Sequence, residues 1–464
     1  MKTVRIGAGL GFYGDAWWPV AASIERGEVQ YIASDHLAEL TLAILQKDRA
    51  RDPASGYTKD LVPMLAQLWP LSRKANGGKG VRFLLNAGGL NPHGARDALA
   101  EVFRKKGWHA KIAVVTGDDV LERLDDLQQA GQTLKHLDTG QPLDAVRERM
   151  VFANAYLGAA PLVRALEQGA DIVLAGRVAD AALFLAPLVH EFGWTLEART
   201  PEEWDRLAQG LAVGHLLECS GQGSGGNFGG LDWKDIPDLG HIGYPIAEVD
   251  ESGTATITKA PGTGGRVSFD TVRQQLLYEV QDPSRYYSPD VVLDMGTIRI
   301  DDLGDDRVRV SGATGRPRPA DLKIVGGYHD GWMGQATFGY SWPQAWRKAE
   351  RTAAIVTGLV QEQGMQYDEM RVEYLGYDSI LGQLADPSQR DALNEIYLRM
   401  AIRTQDKRVA DGFGRMFPWL ALSGPPFVGG RYAMQPASEL LGIWPTLADR
   451  GLIEERVAVD VMEV

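Results

Sequence analysis

The feature that most constrains this chain is an order repeated through its first half: a short apolar strand, a polar or glycine-rich cluster, then an amphipathic stretch. Strand patterns stand at 4–6, 29–32, 81–85, 111–115 and 171–174, and apolar residues at helical spacing follow, as in 37–46 and 95–105. This rhythm predicts an α/β fold, with an N-terminal doubly wound, mostly parallel sheet covered by helices on both faces. After about Gly230 the texture shifts to Thr/Val-rich strand patterns at 254–258 and 307–310, with helices expected near 272–279 and 343–358. We read that part as a second, α+β domain, so the expected domains are 1–234, carrying the ligand site, and 235–464.

In an open parallel sheet, the loops at the carboxyl ends of the strands gather at the ligand-binding edge. Five clusters occupy that position here: 7–15, 34–39, 86–92, 116–119 and 175–180. They predict one site built from several loops. The first contains a G-x-G-x-x-G (Gly9, Gly11, Gly14), and Asp35 follows the next strand, so a dinucleotide enters the reading. Asp15 opposes it, because a carboxylate there repels a pyrophosphate and competes for the same backbone N–H groups. Three readings stay open for this turn: Asp15 as a helix N-cap, Asp15 as a catalytic or ligand-contacting acid, and a dinucleotide loop.

Asn86 and Asn91 flank Gly88 and Gly89, an arrangement that either polarises a ligand carbonyl or simply turns the chain into a helix at Asn91-Pro92. Asp118 and Asp119 read as helix caps, or with Asp15 and Asp35 as an acidic mouth able to take a divalent cation. No His–carboxylate spacing of the H-E-x-x-H kind occurs, and no metal ligand is assigned. Arg177 and Asp180 close the fifth cluster. A further segment runs from Gly214 through His215, Glu218 and Cys219 to Gly225, Gly226 and Asn227. With His215 and Cys219 at i and i+4 on one helix, the imidazole would lower the thiol pKa and make Cys219 a nucleophile. The alternative is a buried thiol acting as a small apolar side chain. The glycines that follow offer backbone N–H groups as an anion nest. Lys259 and Arg266 flank a turn leading to a helix expected to begin at Ser268, either a carboxylate or phosphate contact or a plain surface loop. Trp332, Trp342, Trp346 and Trp419 read as core and interface aromatics.

Composition narrows the partners. The formal charge is −13 over 464 residues, which opposes a phosphate-backbone binder and sets nucleic acid aside. One cysteine rules out an intramolecular disulfide. There is no apolar run of membrane-spanning length and no signal-peptide pattern, so no membrane is expected and the expected location is the cytoplasm.

Several longer motifs carry a resemblance: Asn86-Ala-Gly-Gly-Leu-Asn-Pro92, Val115-Thr-Gly-Asp-Asp119, Asn154-Ala-Tyr-Leu-Gly-Ala159, Gly169 to Asp180, Gly214-His-Leu-Leu-Glu-Cys219, Gly225-Gly-Asn-Phe228 and Gln275-Leu-Leu-Tyr-Glu279. In this order, over roughly 4–440, the chain resembles the acyclic terpene utilisation AtuA family. The resemblance implies a bacterial, cytoplasmic catabolic protein associated with acyclic terpenoids such as citronellol and geraniol, or with other branched acids, handled through coenzyme A thioesters. Ser220-Gly-Gln-Gly-Ser224 departs from the family's more usual Ala- or Thr-containing pattern, so the ligand of that loop is expected to differ. Longer members carry a small C-terminal domain, and a separate small protein is expected to supply its equivalent; a homo-oligomer is also expected.

The resulting expectation is an enzyme acting on a branched acid or its acyl-CoA thioester by hydratase, lyase or hydrolase chemistry, with the coenzyme A moiety entering as part of the substrate. Asp15, His215, Glu218 and Cys219 are the catalytic candidates. The ligand-binding candidates are Gly9, Gly11, Asp35, Asn86, Gly88, Gly89, Asn91, Asp118, Arg177, Asp180, Gly225, Gly226 and Asn227. The alternatives are a non-catalytic subunit working with a small partner or an acyl-CoA carboxylase, and a dinucleotide-dependent oxidoreductase.

Overall fold

The computed structural model describes residues 2–429 and 435–464. Its first stretch runs β1 (Thr3–Ala8), α1 (Trp18–Arg26), β2 (Tyr31–Ser34), α2 (Glu39–Arg51), α3 (Leu61–Lys74), β3 (Arg82–Leu85), α4 (Pro92–Lys106), β4 (Lys111–Thr116), α5 (Leu124–Gln129), β5 (Met150–Ala155), α6 (Ala160–Glu167), β6 (Ile172–Ala175), α7 (Ala182–Phe192) and α8 (Pro201–Leu217). Then come β7 (Pro245–Asp250), β8 (Ala255–Lys259), α9 (Phe269–Leu277), β9 (Tyr286–Tyr287), β10 (Val292–Asp294), β11 (Arg299–Gly304), β12 (Arg307–Ser311), β13 (Thr314–Arg316) and β14 (Asp321–Ser341). The remainder is α10 (Ala345–Glu362), β15 (Glu369–Leu375), β16 (Glu395–Thr404), α11 (Lys407–Gly414), α12 (Leu420–Ser423), β17 (Val428–Gly429), β18 (Ser438–Asp449), α13 (Arg450–Glu454) and β19 (Ala458–Glu463).

The chain is α/β. Ten strands form one sheet in the order β11-β12-β8-β7-β1-β2-β3-β6-β4-β19. Its middle five, β1-β2-β3-β6-β4, are mutually parallel. Every residue of β2 and β6 is buried, as a parallel strand covered on both faces requires. Two helix series cover them: α1, α3 and α4 pack on one another, as do α6, α7 and α8, and both series touch the parallel strands. Local sequence starts these helices where expected. Asn91 caps α4 by accepting the Gly94 N–H at 2.9 Å, and Ser268 caps α9 by accepting from Thr271 at 3.4 Å. Thr200 and Glu203 form a capping box at the start of α8.

The structure extends the α/β expectation and moves the expected domain boundary. The flanks of the sheet are antiparallel: β7 runs against β1, β8, β12 and β11 continue outward, and β19 runs against β4. The domain division also falls elsewhere than residue 235. β7 hydrogen-bonds onto β1, and β8, β12 and β11 follow it in the same sheet; the compact units are 1–326 with 443–464, and 327–442. The Thr/Val texture after Gly230 marks a change of strand direction within one sheet.

Within the second unit, β16 pairs antiparallel with both β14 and β15. A core of Phe338, Tyr340, Trp346, Leu398, Met400, Phe413 and Phe417 lies between these strands and α10, α11 and α12. Trp346 is buried in this core, and Trp342 and Trp419 are exposed.

Candidate functional site

A cavity of about 1420 Å³ opens in the first unit at the carboxyl edge of the parallel strands. Three of the five expected loops line it, through Gly11 and Asp15, through Asp35 and Glu39, and through Arg177 and Asp180. Glu218, Cys219, Gly226 and Asn227 close another side, and Phe12, Trp18, Leu37, Leu211, Ile242 and Leu322 supply apolar wall. The cavity therefore combines an apolar lining with a few convergent polar groups, the usual make-up of a small-molecule site.

Arg177 is the buried cation of this site. Its Nη1 lies 2.7 Å from Asp180 Oδ1 and 4.0 Å from Asp35 Oδ1, and its guanidinium stacks 4.0 Å from the centre of the Tyr156 ring. Asp35 is fixed by the Asn86 amide, which donates to its Oδ1, and that oxygen also accepts the Leu37 N–H at 3.1 Å. Burial, followed by the charge of Asp180, pushes the Asp35 carboxyl well above the usual range. Glu39 behaves oppositely. Burial would raise it, but the Tyr156 hydroxyl at 2.6 Å and the Lys323 ammonium at 3.2 Å outweigh that and hold it at about 2.

His215 and Glu218 form a couple at the end of α8. The imidazole Nδ1 stands 2.9 Å from Glu218 Oε1, and Nε2 stands 3.1 Å from the Leu276 carbonyl. A carbonyl only accepts, so Nε2 carries a proton, and one further proton is shared between Nδ1 and Oε1. Burial raises the Glu218 carboxyl, while the neighbouring carboxylate outweighs burial at His215 and raises the imidazole. Glu218 is 7% exposed and lines the cavity, yet its Oε2 has no hydrogen-bond partner. A carboxyl held on one oxygen and free on the other is suited to exchange a proton with a bound molecule.

The structure reassigns other candidates. Helix α8 ends at Leu217, so Cys219 does not share a helical face with His215, whose Nδ1 serves Glu218 instead. Burial and the Glu218 charge push the Cys219 thiol up, opposite to the activated thiolate expected. The expected anion nest is also spent. The N–H groups of Gln222, Gly225 and Gly226 donate to Cys219, Gln222 and Gly221 carbonyls within the loop, and Gly225 sits at φ +96, where glycine is favoured. Asn227 lines the cavity and its amide donates to Gln222 Oε1 at 3.1 Å.

Asp15 is not a helix cap, because α1 begins at Trp18 after Trp17. It accepts the Gly11 N–H at 3.0 Å, the Ala16 N–H at 2.7 Å and the Tyr244 hydroxyl at 2.7 Å. The glycine-rich turn thus folds around its own carboxylate, and the donors a pyrophosphate would need are taken. Gly11 is required by packing: a Cβ would lie 2.9 Å from the Cys219 carbonyl carbon and 3.0 Å from the Glu218 oxygen. Gly9 likewise packs on Ser34, with a Cβ only 2.5 Å from the Ser34 Cβ.

The remaining candidates stand one layer behind the cavity. Asn86 is fully buried and also accepts the His36 N–H at 2.6 Å, so it positions Asp35 and does not face a ligand. Gly88 backs onto the Ala175 carbonyl and Gly89 onto Leu45, while Asn91 is the α4 cap. Asp118 accepts the Arg177 N–H at 2.7 Å and the Asn154 amide at 2.8 Å. Burial raises its carboxyl to about 6. The acidic mouth of Asp15, Asp35, Asp118 and Asp119 therefore does not form. Among the described residues, no group of three or more His, Cys, Asp or Glu side chains is arranged to hold a metal ion.

Tyr156, Tyr244, Glu279, Tyr286 and Lys323 also line the cavity and were not among the candidates. Tyr156 and Glu279 lie inside motifs already singled out, whereas Lys323 arrives on β14 with no local signal.

Comparison with known proteins places this geometry in a family context. The family model described as acyclic terpene utilisation family protein AtuA matches residues 4–459. No curated protein and no solved structure matches the chain. Among the described residues, no helix is long and apolar enough to cross a membrane.

Proposed function

The chain belongs to the acyclic terpene utilisation AtuA family, and from that premise we propose that it is an enzyme that moves protons on a branched, acyclic chain bound in the cavity, in hydration or its reverse. One observation carries this reading: Glu218 lines the cavity and has one oxygen, the buried Oε2, without a hydrogen-bond partner, while His215 holds the other. Adding water to a carbon–carbon double bond needs one group to deliver a proton to carbon and another to take a proton from water. Glu218, carrying its proton on Oε2 while Oε1 accepts from the His215 Nδ1–H, delivers the first. Asp180, which lines the same cavity with its Oδ1 2.7 Å from the Arg177 guanidinium, accepts the second. The reverse reaction uses the same two groups in exchanged roles, protonating the leaving hydroxyl and removing a proton from the neighbouring carbon.

Arg177 keeps Asp35 and Asp180 apart and in place, and the Tyr156 ring fixes its plane. The apolar wall holds the chain. The branched acid and its coenzyme A thioester, the substrates the family resemblance suggested, both present an acyl chain to this arrangement. The commitment of Gly11 and Ala16 N–H groups to Asp15 disfavours a dinucleotide.

The test is incubation in D2O with a panel of branched C10 alcohols, acids and thioesters, read by mass spectrometry. Enzyme-dependent incorporation of deuterium at carbon, or gain or loss of water, is the expected result. A panel in which every member binds and none exchanges would leave only a binding role.

A further inference from the structure

Strand β15 ends the sheet of the second unit: β16 pairs with one of its edges and, among the described residues, no strand pairs with the other. Its ladder with β16 runs unbroken from Glu369 to Leu375, with no bulge to twist the free edge away. A straight free edge is a template for a further strand. Val372 and Leu375 are 36% and 37% exposed there, and the turn that follows exposes Ile380, Leu381 and Leu384. The outer edges of the ten-stranded sheet are built differently. β11 has an irregular register between Asp302 and Gly304, and the charged residues of β19 are acids alone, Asp460 and Glu463.

The sequence of β15 is Glu-Met-Arg-Val-Glu-Tyr-Leu. Met370 and Tyr374 pack against the core of this unit, which by alternation puts Val372 on the same face and Glu369, Arg371, Glu373 and Leu375 on the other. Antiparallel pairing with a second copy about a two-fold axis at Val372 sets Val372 against Val372, Met370 against Tyr374, and Arg371 against Glu373. Symmetry makes each of the last two pairs twice. Opposite charges facing across a strand pair stabilise it, and like charges oppose it. Moving the axis one residue either way sets like charges together, Arg371 against itself or Glu373 against itself. The charges thus favour one register. Arg371 already holds Glu369 at 2.8 Å, and Glu373 holds Arg399, so the new pairs would extend a row of alternating charge from one copy to the other. With 67% of its side chain exposed, Arg371 is accessible to that second copy.

We propose that β15 is a self-association edge, on which a second copy of this chain adds its own β15 antiparallel about Val372 and joins the two sheets into one. The pairing carries the apolar face of Met370, Val372 and Tyr374 across the axis. It also directs the turn after Leu375 towards the residues before Glu369 of the other copy, where Tyr367 is exposed, and so brings Ile380 and Leu381 near an apolar neighbour. The edge lies in the unit 327–442, so this assembly does not depend on the proton-transfer chemistry of the cavity.

The experiment measures the mass of the full chain in solution by sedimentation equilibrium, for the wild type and for charge variants of β15. The wild type should be a dimer. Arg371→Glu and Glu373→Arg should each raise its Kd at least about tenfold, because each sets like charges across the axis. An equal mixture of these two variants should form a heterodimer about as tight as the wild type, since every charge at the axis again meets its opposite. Val372→Asp, which sets two carboxylates on the axis itself, should also give monomer. A monomeric wild type leaves the edge to some other protein and overturns the proposal. A dimer whose Kd is unchanged in Arg371→Glu and Val372→Asp overturns it too, because the copies then meet elsewhere. Folded variants that weaken the dimer but do not pair with each other overturn the register and with it the proposal.

Discussion

At the scale of single residues, the site works by giving each carboxyl a different environment. Glu39, held by Tyr156 and Lys323, is a permanent anion, while Asp35, Glu218 and Asp118 are raised by burial. Asp118 makes the consequence measurable. Its folded value of about 6 lies above the ordinary 3.8, so the folded protein binds more protons between those values. The contribution of this group to stability is complete below 3.8 and is lost as pH rises through about 6. Asp118→Asn keeps an oxygen to accept from Arg177 and Asn154, so its urea midpoint should exceed that of the wild type at pH 8, with the gap closing toward pH 4. An equal gap at both pH values would contradict this.

His215 acts through Glu218 and is a positioning residue. His215→Leu should lower kcat about tenfold or more with little change in KM, and should shift the alkaline limb of the pH–rate profile, because the shared proton loses its second holder. Activity by proton donation falls as pH rises through the pKa of the couple in either protein. Sequence alone suggested His215, Glu218 and Cys219 as a group. It assigned the imidazole to the wrong partner because α8 ends two residues earlier than the helical spacing required.

At the scale of elements, the βα order was legible because each strand is short, apolar and followed by its own cap or glycine turn. The convergence of the loops was legible in part. The loops after β1, β2 and β6 reach the cavity, while those after β3 and β4 support them from behind through Asn86 and Asp118. Sequence cannot separate a ligand-facing loop from a supporting one, since both need small residues and amides. Gly11 shows the difference: its glycine serves the contact with the 218–220 turn. Gly11→Ala should cost about 2 kcal/mol, as overpacking against backbone does. It should also slow exchange by displacing Glu218. A thermal midpoint equal to wild type would show that this contact yields freely. The continuation of the sheet past residue 235 was not legible, because antiparallel flanking strands alternate like those of an independent domain.

At the scale of the whole molecule, family membership fixes the catabolic context of acyclic terpenes, and the cavity supplies what that context lacks, a chemical role. The account joins an apolar wall, the buried Arg177 and one proton-exchanging couple into a site for a branched chain. Lys323, arriving from residue 323 to meet Glu39, illustrates how such a site escapes sequence reading: the contact spans 284 residues. Its central claim is that Glu218 moves the proton. The most direct test is the rate of deuterium incorporation by Glu218→Gln on the best-binding C10 substrate, measured beside that substrate's Kd. Glutamine keeps the size and the contact with His215 but cannot exchange a proton. The account predicts a rate at least about 100-fold lower with Kd changed less than about threefold. A variant that exchanges deuterium at close to the wild-type rate would show that the chemistry belongs to another group.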